Sequence, residues 1–162
     1  MRELPSAPIA MVGGHTSERQ RVQIVTMLTE TQWATLRALI DRLIPADDYP
    51  GGWDAGVGDY LERQFAGDLS DALDLYLSGL DALDVEARTT AGVSFAALAP
   101  DAQDGLLRQV ELGEVVTDWP IEPVAFFRAA AEHAAEGFYG DPGNGGNRDG
   151  VSWRMIGFEV TG

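Results

Sequence analysis

Apolar residues recur every three or four positions along most of the chain, and this spacing predicts amphipathic helices. The clearest helix start is Thr29, which stands three residues before Gln32 in the spacing of a capping box. Asp54 and Ser70 are candidate caps of two further helices. Pro100 suits a first helical position, and Gly113 and Gly137 suit the residue that follows a helix end. From such signals we predict five helices, over about residues 29–44, 54–67, 70–88, 100–112 and 123–136.

The predicted fold is all-α, a compact bundle of about five helices closed by an ordered glycine-rich C-terminal loop. No run alternates apolar and polar residues over the length of a strand, so no sheet is predicted, although residues 115–120 read as a short extended piece. One helical domain is predicted for residues 27–162, after an irregular arm over residues 1–26. The solvent side of the third helix is predicted to carry Asp71, Asp74, Asp81 and Asp84.

The stretch from residue 137 to 158 differs from the rest, because it places seven glycines and a proline between aromatic residues. A flexible linker has few aromatics, so we expect an ordered loop with a packing surface. Arginine and tryptophan are enriched at interface hot spots, which favours a partner-binding surface over a loop that only folds back on its own helices. The residues predicted to contact a partner or to shape the loop are Phe138, Tyr139, Gly140, Asp141, Pro142, Gly146, Asn147, Arg148, Asp149, Trp153, Gly157 and Phe158.

The glycine-rich stretch does not have the residues that a calcium or phosphate site requires. With Asp141 as the first position of a calcium loop, Gly143 and Gly145 stand where ligand side chains are needed and Ser152 replaces the bidentate glutamate. A phosphate-binding P-loop requires a lysine, and all eleven basic residues of this chain are arginine.

His133 is the centre of the one cluster that suggests metal binding or acid–base chemistry, with Glu132, Glu136 and Asp141 near it in sequence. The second histidine, His15, lies in the N-terminal arm, so a two-histidine site has no ready second ligand. We therefore interpret His133 as solvated or locally hydrogen-bonded. No catalytic, cofactor-binding or metal-binding residue is assigned.

The composition narrows the possible partners. Of 162 residues, 26 are acidic and 11 basic, which gives a formal charge of −15. This charge argues against nucleic acid and anionic membranes as partners. Adaptation to high salt is an alternative explanation of the acidic composition. There is no cysteine, and no apolar run approaches the roughly 18 residues of a membrane span, so no direct membrane insertion is expected.

No signal peptide is visible at the start of the sequence. We therefore expect a cytoplasmic protein. The alternative is a periplasmic protein, if a twin-arginine signal was removed or if export occurs together with a partner.

Several blocks resemble the gluconate 2-dehydrogenase subunit 3 family over roughly residues 28–158. The opening helix and the closing glycine-rich motif are the distinctive parts, whereas the middle is generic amphipathic helix. The matching blocks are residues 28–48, 55–57, 60–61, 138–142 and 145–150, with Trp153 and residues 156–158.

The resemblance implies a role rather than a reaction. Members are small, cofactor-free subunits whose partner is a large flavoprotein of the glucose–methanol–choline (GMC) type, which holds FAD and oxidises a sugar or polyol. A cytochrome c subunit often accepts the electrons, and the small subunit helps the large one to fold, to remain stable and to mature. We therefore predict a non-catalytic subunit of such a sugar or glycoside dehydrogenase. The alternative is a stand-alone small helical binding module.

Overall fold

A computed structural model describes residues 27–158. The irregular arm predicted for residues 1–26 lies outside the described residues, so it stays a prediction, as does the single domain predicted to follow it. The described part contains six α-helices and no strand, which confirms an all-α fold. The helices are α1 (Glu30–Leu43), α2 (Val57–Phe65), α3 (Leu73–Ala91), α4 (Pro100–Leu112), α5 (Pro123–Tyr139) and α6 (Val151–Met155).

Two helix boundaries, the start of α1 and the end of α4, lie where local capping signals predict them. The Thr29 hydroxyl accepts a hydrogen bond from the Gln32 amide at 3.1 Å, and the Gln32 side chain accepts one from the Thr29 amide at 2.8 Å. This reciprocal pair is a complete capping box. At the end of α4, Gly113 adopts a left-handed φ of 73°, a conformation that glycine adopts without steric cost.

Two predicted helix starts were wrong. Asp54 does not cap α2, because the chain first makes a turn and the N-cap is Gly56, whose φ is 93°. Ser70 does not cap α3 either, because the 3-10 turn Ser70–Ala72 precedes the helix and α3 begins at Leu73. In both places the chain makes a turn before the helix begins, and no side chain caps the helix.

The predicted end of α5 at Gly137 was also wrong, since the helix continues to Tyr139. A Cβ atom at Gly137 would lie 2.6 Å from the Tyr60 ring. This glycine therefore allows close packing of α5 on α2 rather than ending a helix.

Helix α5 is at the centre of the bundle, since it contacts all five of the other helices. It packs closely on α3 at Gly79, where an added Cβ atom would lie 2.1 Å from the Phe126 ring. The largest fully buried apolar side chains belong to one core cluster, and they are Tyr76, Phe65, Phe95, Phe126, Phe138, Leu36, Leu39, Ile40, Leu61, Leu80 and Leu83.

The solvent face predicted for α3 was wrong at Asp84, whose residue is only 8% exposed. Its carboxylate accepts hydrogen bonds from the Phe95 amide at 3.0 Å and from Arg88 Nε at 2.8 Å. The carboxylate thus stabilises the turn before α4. Helical periodicity alone predicts that Asp84 is exposed to solvent. Its hydrogen-bond donors allow the carboxylate to be buried instead.

A second buried carboxylate on α3, Glu86, holds the α4–α5 connector (residues 113–122). Its side chain accepts hydrogen bonds from the amides of Val116 at 2.6 Å and Thr117 at 3.1 Å, from the Thr117 hydroxyl, and from Trp119 Nε1 at 3.3 Å. Burial opposes ionisation, but these donors outweigh it and keep the pKa of Glu86 below its ordinary value. The connector contains no strand, so the extended piece predicted at 115–120 is a set of bends instead.

The glycine-rich stretch contains more helical structure than predicted. Two 3-10 turns, Pro142–Asn144 and Arg148–Gly150, lead into α6. A simple closing loop is therefore not confirmed. None of the helices in residues 27–158 is long and apolar enough to cross a bilayer.

Candidate functional site

The C-terminal segment (residues 140–158) leaves α5 at Gly140 and folds back along the bundle. A Cβ atom at Gly140 would lie 2.5 Å from the carbonyl oxygen of Glu136, so a side chain does not fit at this exit. The Asp141 carboxylate then accepts a hydrogen bond from the Gly143 amide at 2.7 Å and caps the turn Pro142–Asn144. Asp141 thus shapes the start of the segment.

Two glycines allow the segment to lie directly against the backbone of α2 and α5. A Cβ atom at Gly146 would lie 2.1 Å from the carbonyl oxygen of Gly137, and one at Gly56 would lie 2.4 Å from the carbonyl oxygen of Gly145. Real Cβ atoms do not approach this closely. The glycines therefore serve close packing of backbone on backbone, one of the uses of glycine in folded proteins.

Asn147 is the polar centre of the segment and is completely buried. Its side-chain amide donates to the carbonyl oxygen of Gly140 at 2.8 Å. Its side-chain oxygen accepts from the Ser152 amide at 2.9 Å and from the Ser152 hydroxyl at 2.8 Å. One side chain thereby joins the beginning of the segment to α6, with its donor and acceptor both satisfied.

Left-handed backbone concentrates around this residue. Asn147 has φ 46°, Asp149 has φ 58° and Gly150 has φ 64°, and the carbonyl oxygen of Asp149 accepts a hydrogen bond from Arg154. Asparagine and aspartate tolerate this conformation better than other residues with a Cβ atom. Gly157, with φ 74°, makes a further left-handed turn after α6.

Arg148 fastens the segment to the start of α2. Its backbone amide donates to the carbonyl oxygen of Ala55 at 2.8 Å, and its guanidinium lies 2.7 Å from the Asp59 carboxylate and 3.3 Å from the carbonyl oxygen of Asp54. Both side chains of the ion pair are more than half exposed. These contacts are all within the chain, so Arg148 has a structural role whether or not it also meets a partner.

An aromatic cluster lies at the end of the segment. Trp153 Nε1 donates to the carbonyl oxygen of Tyr139 at 3.1 Å, and the rings of Trp153 and Phe158 meet edge to face with centroids 5.6 Å apart. Tyr139 is 48% exposed, Ile156 64% and Phe158 57%. These four residues, Tyr139, Trp153, Ile156 and Phe158, are called the C-terminal apolar patch.

The structure thus divides the predicted site residues by their surroundings. Nine of them are buried or make the internal contacts and turns that shape the segment: Phe138, Gly140, Asp141, Pro142, Gly146, Asn147, Arg148, Asp149 and Gly157. Three belong to the patch, namely Tyr139, Trp153 and Phe158. Their role in binding a partner stays a prediction.

The sequence did not predict the residues outside the C-terminal segment that hold it in place. Asp59 and Ala55 lie about ninety residues before their partner Arg148, and no local pattern links them. It also left Ile156 out of the predicted site, although an exposed isoleucine between two aromatic residues of a motif is a usable signal.

His133 and Glu136, which are near one another in sequence, belong to two separate hydrogen-bonded pairs. His133 Nδ1 lies 2.9 Å from the Tyr76 hydroxyl, and the two rings stack with centroids 5.8 Å apart. Glu136 instead accepts from the Tyr60 hydroxyl at 3.3 Å. Burial, together with Glu136, raises the pKa of both tyrosines. Within residues 27–158 no three His, Asp or Glu side chains are grouped as a metal ion would require.

The chain matches a known protein family over most of its length. The family described as gluconate 2-dehydrogenase subunit 3 matches residues 30–161, which is most of the chain and includes the entire C-terminal segment described above. Searches of curated proteins and of solved structures found no match.

Proposed function

Because the chain belongs to the gluconate 2-dehydrogenase subunit 3 family, we propose that it binds and stabilises the catalytic subunit of an FAD-dependent sugar or glycoside dehydrogenase. The family consists of accessory subunits of dehydrogenase complexes, which implies a catalytic partner. In this proposal the partner is a large GMC-type flavoprotein that holds the FAD. This chain takes no part in the chemistry and assists the maturation of its partner, and a cytochrome c accepts the electrons.

The observation that carries the proposal is the C-terminal apolar patch. Its large apolar side chains are about half or more exposed: Ile156 and Phe158 lie on a segment held by buried hydrogen bonds, and Tyr139 is the last residue of α5. A contact surface whose side chains are already fixed loses less conformational entropy when it binds. Contiguous exposed apolar surface rimmed by polar residues is typical of protein interaction sites.

The acidic character of the chain supports the proposed electron acceptor. A formal charge of −15 produces a field that attracts basic proteins and raises their association rate. A basic cytochrome c fits that field.

Co-expression with a large GMC-type flavoprotein subunit from the same organism tests the proposal. We expect the flavoprotein to be soluble, to contain FAD and to be active when this chain is present, and to lose most of its soluble yield without it. A flavoprotein that is soluble, flavinated and active alone would contradict the stabilising role.

A matched pair of substitutions tests the patch itself. Ile156→Asp places a charge in the patch, whereas Val85→Asp places the same charge at an exposed apolar residue of α3 that is 51% exposed. We expect Ile156→Asp to weaken co-purification of the flavoprotein at least tenfold and Val85→Asp to change it less than twofold. Equal effects would show that the patch is not the contact.

A further inference from the structure

The outward side of α5 carries an apolar stripe, the α5 stripe, formed by Val124, Phe127, Ala131, Ala135 and Tyr139. These residues are spaced by three, four, four and four positions, so they share one face of the helix. The first three are half-buried and line a groove of about 350 Å³ against α4, while the last two are exposed.

This stripe is unusual for so acidic a chain. On α3, for comparison, exposed positions include the carboxylates Asp74 and Asp81. Of the 17 residues of helix α5, only three carry a full charge at neutral pH when histidine is left aside, and these are Arg128, Glu132 and Glu136. An amphipathic helix that leaves apolar residues outward has a face available for another protein element.

The charges around the groove define what fits there. Glu111 on α4 and Glu132 on α5 line it together with one basic residue, Arg128. The adjoining connector, residues 113–122, adds three carboxylates and no arginine. The rim is therefore net negative, most strongly at the end where α5 begins, and it favours a basic occupant by complementarity of charge.

The stripe also leads to the surface already assigned to the partner. From Val124 to Tyr139 is 15 residues, or about 22 Å of helix at 1.5 Å per residue. Tyr139 belongs to both the α5 stripe and the C-terminal apolar patch. A helix laid along α5 would thus reach from the acidic connector to the aromatic cluster.

We propose that the α5 stripe receives one amphipathic helix of the dehydrogenase catalytic subunit, with lysine or arginine residues at the end that lies over the connector. This inference rests on the proposed function and adds the mode of binding, a helix in a groove with apolar anchors at helical spacing. The apolar residues of the stripe supply the contact, and the carboxylates fix the direction of the bound helix.

The first test compares two arginine substitutions on the same helix. Ala135→Arg lies on the stripe, and Ala125→Arg is an exposed alanine of α5 outside it. Binding of the co-expressed flavoprotein subunit is measured by surface plasmon resonance, and circular dichroism checks that both variants melt as the wild type does. We expect Kd to rise at least tenfold for Ala135→Arg and less than twofold for Ala125→Arg. Equal values of Kd for the two variants would overturn the docking site.

The second test addresses the charge of the bound helix. Glu132→Arg reverses a carboxylate that lines the groove, and Asp74→Arg makes the same change at an exposed position of α3. We expect Glu132→Arg to weaken binding and to reduce the salt dependence of the association rate more than Asp74→Arg does. If the two charge reversals have the same effect, the occupant is not a basic helix.

The same measurements separate this inference from the proposed function. If the wild-type chain does not bind the flavoprotein at all, both fail. If Ile156→Asp weakens binding and Ala135→Arg does not, the docking of a helix on α5 is wrong while the accessory role stands.

Discussion

Two segments without long helices pack onto this bundle, and each is held by one buried polar side chain. The C-terminal segment is held by Asn147, which belongs to the segment and bonds residues five and seven positions away. The α4–α5 connector is held by Glu86, which lies on α3 and bonds residues 30 to 33 positions away. The first anchor is neutral and local, whereas the second is an ionisable group that acts at long range.

The difference shows two ways of satisfying the polar backbone of an irregular segment. Asn147 both donates and accepts, so it replaces the hydrogen bonds of a turn within the segment itself. Glu86 only accepts, and it gathers amide, hydroxyl and indole donors onto one carboxylate. Charge-assisted hydrogen bonds are stronger than neutral ones, so we expect the connector to depend more on its anchor than the C-terminal segment does.

The largest effect is expected for Glu86→Ala. The substitution leaves the donors of Val116, Thr117 and Trp119 without their shared acceptor, and we expect the free energy of unfolding to fall by about 3 kcal/mol. Urea denaturation measures the loss, and hydrogen exchange should show loss of protection at the amides of Val116 and Thr117 before other sites. Asp74→Ala, at an exposed position of the same helix, is the control and should cost less than about 1 kcal/mol. A loss as small as that of the control would contradict the anchoring role.

A smaller loss, about 2 kcal/mol, is expected for Asn147→Ala. The substitution removes three hydrogen bonds and puts alanine into a left-handed conformation. Increased hydrogen exchange should be confined to the C-terminal segment, including the amides of Arg148 and Ser152. Asn144→Ala, at an exposed position of the same segment, should change stability by less than 0.5 kcal/mol, about the range of ordinary surface substitutions. Loosening that spread to the connector would contradict the independence of the two anchors.

The smallest expected effect is a difference between Glu86 and Asn147 in how their contributions to stability depend on pH. The pKa of Glu86 is lowered in the folded state, so its contribution to stability is complete above the ordinary glutamate pKa and is lost as the pH falls through the folded pKa. The difference in unfolding free energy between wild type and Glu86→Gln should therefore shrink from pH 6 to pH 3. The corresponding difference for Asn147→Ala should stay constant, because that side chain does not titrate. Parallel pH profiles would show that the charge of Glu86 does not stabilise the connector.

Local signals predicted much of the fold. The capping box at Thr29, the proline at the start of α4 and the glycine after it act within a few residues, so the sequence alone locates those boundaries. Gly137 shows the limit of such reasoning. Its sequence context is that of a helix end, but its contact with Tyr60 makes it a packing residue within α5.

The candidate site was predictable in its location and not in its internal roles. Glycines between aromatic residues mark the segment as special in the sequence. Which side chains turn inward depends on partners far away, as for Arg148, whose contacts Ala55 and Asp59 come from the start of α2.

By itself, the sequence determined the helical class, several helix ends, the acidic surface and the family, because these follow from periodicity, short-range capping, composition and recognisable blocks. The tertiary structure alone decided that Glu86 and Asp84 are buried, that Asn147 rather than a glycine is the centre of the C-terminal segment, and that the apolar stripe of α5 faces outward. The physical reason is that burial and hydrogen-bond partners depend on which distant residues are brought together, and a linear pattern of apolar and polar residues does not record this.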